Sequence, residues 1–86
     1  MSKWDKLLRR ILNLSLDLRF EELRKVLESY GYVMNVPKGG SSHCTFRKAG
    51  EYPITIPRHD VIKKVYVEMV KKIVEKEATK NDENIG

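Results

Sequence analysis

The chain has a single cysteine, Cys44, so no intramolecular disulfide can staple the fold and no thiolate-rich metal site can form. It also lacks any apolar run near the ~20 residues that cross a bilayer. The leucines near the N-terminus are interrupted by Asp5, Lys6, Arg9 and Arg10, which is no signal-peptide pattern. Histidine is scarce: only His43 and His59 occur, with no paired carboxylates beside either, so the carboxylate cluster of a metal-dependent nuclease is missing. No internal repeat is visible. These absences predict a cytoplasmic protein with no membrane contact, no metal and no cofactor.

What remains is a chain of 86 residues, 41% hydrophobic and 34% charged. That balance suits one small globular domain and argues against wholesale disorder. The net charge is +5, and its distribution carries more information than its sum. Residues 1–30 hold seven basic and five acidic groups, and residues 68–86 come to −1. Between them, residues 37–64 hold Lys38, Arg47, Lys48, Arg58, Lys63 and Lys64 against Glu51 and Asp60, an excess of +4. A polyanion would be drawn to that segment.

Read in order, Ser2-Lys3-Trp4-Asp5 has the form of a capping box opening a helix from about Lys3 to Leu12. Trp4, Leu7, Leu8 and Ile11 form its apolar side, with Trp4 as a packing anchor. Asn13 to Asp17 reads as a connector. A second helix is predicted from Phe20 to Tyr30, with Phe20, Leu23, Leu27 and Tyr30 on one face and Gly31 as a left-handed cap. Three strands follow: residues 32–36, 43–48 and 52–56, with Pro53 weakening the start of the third and Pro57 closing it. The last helix is predicted from Asp60, as N-cap, to Glu77. Ile62, Tyr66, Met69 and Ile73 should line one side of it, widened by Val65 and Val70. Residues 78–86 read as a frayed polar tail.

This is an α+β chain: a double-stranded-RNA-binding-domain-like α-β-β-β-α order with an extra N-terminal helix. The helices would cover one face of a three-stranded antiparallel sheet and leave the other open. The expected organisation is a single domain, 1–86, with a helical extension at 1–14, a core at 19–77 and a tail at 78–86.

Strand residues alternate faces. Cys44 and Phe46 are the apolar members of the second strand, so His43, Thr45 and Arg47 share the open face. That geometry separates His43 from Cys44 and excludes a nucleophile–base dyad between them. Ahead of His43, Gly40, Ser41 and Ser42 sit in a loop whose N–H groups and hydroxyls suit a phosphate. RNA carries its own nucleophile, the 2′-hydroxyl, so a metal-free nuclease needs a base and cationic groups. Histidine titrates in the right range for that base.

With these residues in view, the chain resembles the HicA family of toxins from HicA–HicB toxin–antitoxin modules, over about Phe20 to Lys76. The likeness rests on Leu27-Glu28-Ser29-Tyr30-Gly31-Tyr32, on Gly40-Ser41-Ser42-His43 with Phe46 three residues on, and on Ile54-Thr55-Ile56-Pro57-Arg58-His59. The run Ile62-Lys63-Lys64-Val65-Tyr66-Val67 adds to it. The resemblance implies a ribosome-independent mRNA endoribonuclease, neutralised by a HicB-like antitoxin that covers the active site. Its partners would be mRNA and that antitoxin, with no DNA binding by this chain alone. It places the catalytic histidine at His43, although the family form is often Gly-Ser-His and the second serine here is a departure. Lys38, Gly40, Ser41, Ser42, Arg47, Lys48, Arg58, Lys63 and Lys64 would hold RNA. His59 is expected to be structural or phosphate-contacting. A non-catalytic double-stranded-RNA-binding module is the alternative reading.

Overall fold

The structure, a computed structural model, describes residues 2–36 and 42–85, with side chains as far as residue 78. Six elements follow in order: α1 (Lys3–Leu12), α2 (Phe20–Ser29), β1 (Val33–Asn35), β2 (His43–Arg47), β3 (Ile54–Pro57) and α3 (Lys64–Ile85). The α+β class and the order expected from the sequence are both present.

α1 begins where the Ser2 hydroxyl accepts the Asp5 N–H at 3.1 Å, occupying one of the helix's orphan donors. It ends in a left-handed turn at Leu14, φ 55°. The Ser15 N–H there reaches the Arg10 carbonyl at 2.9 Å and the Leu14 N–H reaches Ile11 at 3.0 Å, a Schellman closure. A leucine in this conformation is strained by about 1–2 kcal/mol. Its packing against the core offsets that cost. α2 closes the same way: Gly31 adopts φ 98°, and Tyr32 and Gly31 donate to Leu27 and Glu28, each at 3.1 Å.

Arg10 joins the first two helices. Its guanidinium donates to Glu22 at 2.6 Å and to Asp17 at 3.1 Å. These bonds, that to Glu22 first, hold the Arg10 pKa above its ordinary value. The Asp17 carboxyl is held below its ordinary value by the Ser15 hydroxyl and then by Arg10. Leu18, in the connector between the two helices, is fully buried, and its carbonyl accepts the Ile62 N–H at 2.9 Å. One backbone bond thus ties the α1–α2 connector to the segment leading into α3.

The sheet has the order β1-β2-β3, antiparallel throughout. Phe46 pairs with Met34 on one side and Ile54 on the other. Its ring meets Phe20 at 6.0 Å between centroids, tilted by 48°, a favourable aromatic arrangement. Cys44, Phe46, Ile54 and Ile56 are buried on the face that joins Leu23, Val26, Leu27, Val67 and Val70 in one core. The alternate residues point away from it.

Four expectations need correction. α3 starts at Lys64 rather than Asp60, because the Ile62 backbone is held by Leu18 and the chain stays irregular through Lys63, with bends at Asp60 and Val61. Asp60 is therefore not an N-cap. The helix continues to Ile85 instead of ending at Glu77. Its buried stripe is Val67, Val70 and Val74, whereas Met69 and Val65 are 43% and 54% exposed. Trp4, at 38% exposed, is no packing anchor. Smaller shifts also occur: Pro57 lies inside β3, and Tyr52 and Pro53 lie outside it.

Candidate functional site

β2 presents its residues in the alternation expected, with His43 and Arg47 exposed, Thr45 half-buried, and Cys44 and Phe46 buried. Residues two apart on one strand face are separated by about 6.8 Å, so the backbones of His43 and Arg47 stand about 14 Å apart. Across the sheet, Thr45 pairs with Asn35 and Thr55, and the two threonine hydroxyls lie 3.3 Å apart. The open face is thus a row of small polar groups with histidine at one end and arginine at the other.

His43 occupies the first position of β2 and is paired in register with Pro57. Its Nδ1 lies 3.5 Å from the Ser42 hydroxyl, the outer limit of a hydrogen bond. The Ser42 carbonyl accepts the Arg58 N–H at 2.6 Å. That bond extends the β2–β3 pairing one step and fixes the backbone of Arg58 beside the residue preceding His43. Cys44 is fully buried on the opposite side of the strand, so it cannot partner the imidazole.

The remaining cations divide into two groups. Arg58, Lys63 and Lys64 are exposed, and none of their side chains makes a hydrogen bond or ion pair among the described residues. Lys48 belongs elsewhere. Alternation turns it to the helix side, where it bonds Glu77 at 3.0 Å and lies 5.6 Å from the centre of the Tyr32 ring. The structure therefore does not bring Lys48 to the His43 surface. Lys38, Gly40 and Ser41 lie outside the described residues.

Sequence reasoning missed Arg19. This residue precedes α2 and, with Phe20, Glu21, Arg58, His59 and Asp60, lines an open cleft of about 250 Å³. Nothing local in the sequence joins residues 19–21 to 58–60. The long-range bond between Ile62 and Leu18 brings the two segments together. The only clue was Pro57, which stops the strand and forces an irregular segment before the next helix.

Comparison with known proteins adds no name to this arrangement: no family model, no curated protein and no solved structure matches the chain.

Proposed function

We propose that this protein is a metal-independent endoribonuclease acting on mRNA, the toxin of a type II toxin–antitoxin module of the HicA kind. Its fold in this reading is double-stranded-RNA-binding-domain-like. The observation that carries the proposal is the position of His43, exposed at the head of the middle strand. Ser42 and the Arg58 backbone lie beside it, and Thr45 and Arg47 continue along the same face.

The chemistry follows from the substrate. The 2′-oxygen of one nucleotide attacks its own 3′-phosphorus while His43 takes the hydroxyl proton. The bond from phosphorus to the 5′-oxygen breaks, and that oxygen leaves with a proton from water. The products are a 2′,3′-cyclic phosphate and a 5′-hydroxyl end. A positioned base contributes about 10²–10⁴ in rate. Arg47, further along the same face, would grip a phosphate further along the chain. Arg58, Lys63 and Lys64 supply attraction that does not depend on sequence. A HicB-like antitoxin would silence the enzyme by covering the open face.

The test is cleavage of an mRNA transcript in excess chelator by wild-type protein and by His43→Ala. Cleavage should vanish in the variant while its unfolding midpoint stays unchanged, and growth arrest on expression should vanish with it. An alanine variant that cuts normally rejects the assignment. The exposed Lys63 and Lys64 at the start of α3 favour the second reading, a duplex-binding module without catalysis. Salt-dependent duplex binding with no scission would select it.

A further inference from the structure

The cleft beside α2 differs in chemistry from the open sheet face, because it mixes both signs of charge. We infer that it is a base-reading subsite that prefers guanine, placed to hold the nucleotide next to the one cut at His43. This rests on the nuclease reading for the choice of RNA as ligand, but the cleft and its chemistry stand on their own geometry.

Three observations lead there. The first is position. Arg58 is bonded through its backbone to Ser42 at 2.6 Å, and His59 and Asp60 follow at once. The lining of the cleft therefore begins at the residue bonded to Ser42, the neighbour of His43 in the chain. The second is size. At about 250 Å³ it falls below the range of drug-sized pockets, so it suits one base. Phe20, 6% exposed, is the apolar residue among those that line it.

The third is the inventory of free groups. Arg19, Arg58, His59 and Asp60 have side chains without hydrogen bonds or ion pairs among the described residues. Glu21, by contrast, is engaged by Arg24 at 3.5 Å. A bare phosphate would meet the Asp60 carboxylate as well as the two guanidinium groups, so a simple anion site is disfavoured. A base carries no such penalty. Guanine offers O6 and N7 to an arginine fork, and its adjacent N1–H and N2–H₂ groups donate to a carboxylate. Adenine reverses the polarity at its exocyclic group, and the pyrimidines lack the N7 edge. Unstacked bases of single-stranded RNA expose both edges for such contacts.

The experiment titrates the full chain with GMP, AMP and inorganic phosphate, following the NMR signals of Phe20 and His59. GMP should bind about tenfold more tightly than AMP, within the discrimination a bidentate base contact gives. Asp60→Asn should bring GMP down to the level of AMP, and Arg58→Gln should weaken GMP. Phosphate matching GMP, AMP matching GMP, silence at Phe20 and His59, or an Asp60→Asn variant that keeps the preference would each overturn the inference. Mapping cleavage sites on a random RNA separates the two proposals. Scission with no guanine bias removes the subsite and spares the nuclease. Guanine-selective binding without scission removes the nuclease and spares the subsite.

Discussion

The two ends of the middle strand treat charge in opposite ways. Beyond Arg47, the turn into β3 is clamped to α3: Lys48 meets Glu77 at 3.0 Å, and Lys76 meets Glu51 at 2.6 Å. At the other end, around His43, the side chains of Arg19, Arg58, Lys63 and Lys64 find no carboxylate among the described residues. Both ends use the same residue types on the same short sheet. A cation held by a neighbouring carboxylate contributes to folding and has little left for a ligand. Cations left without such partners keep their charge for a ligand. Arg47 follows the same logic: it sits near the clamped end but on the open face, out of reach of α3.

Breaking each end should therefore produce different losses. The largest effect is expected from His43→Ala, which should lower the RNA cleavage rate by about 10²–10⁴ and leave chemical unfolding within about 0.5 kcal/mol of wild type. Loss of stability along with activity would mean that the ring supports the fold. Next comes Phe46→Ala, which empties the centre between both ends. It should cost about 3–5 kcal/mol in denaturant unfolding, enough to threaten folding in a domain of this size.

Smaller losses belong to the clamped end. Replacing Gly31, at φ 98°, by alanine should destabilise by about 1–2 kcal/mol, because a Cβ is disfavoured there whatever the space. Glu77→Gln should cost about 0.5–1 kcal/mol, and the loss should shrink in high salt while RNA cleavage is retained. The smallest effect is on pH dependence. Burial first, and then the negative charge of Glu51, raises the Tyr32 pKa above 10.0. The folded state therefore holds its phenolic proton where the unfolded chain loses it. This contribution is complete below pH 10 and fades as pH rises through the folded value. Tyr32→Phe should accordingly flatten the alkaline limb of the stability curve, and an unchanged limb would show that other groups govern it.

The faces of β2 were legible from sequence because a period of two leaves no freedom once Cys44 and Phe46 must be buried. The caps at Ser2 and Gly31 were legible because each depends on residues within one turn. α3 was misread for a different reason. Its sequence carries two overlapping apolar stripes, one through Tyr66, Met69 and Ile73 and one through Val67, Val70 and Val74. Periodicity cannot choose between them; packing against the rest of the core does. The start of α3 was displaced by the bond from Ile62 to Leu18, a contact between distant parts of the chain. The candidate site was half legible for the same reason: His43 and Arg47 lie on one strand, whereas the cleft needs Arg19 brought in from elsewhere.

Cys44 turns the middle strand into its own gauge. Its sulfur is fully enclosed on the side of the strand opposite the exposed imidazole, so a thiol reagent reaches it only when the sheet and the helices packed on it part. The labelling rate of this one atom counts those openings. A ligand clamped across the outer surface should slow the count without ever touching the sulfur.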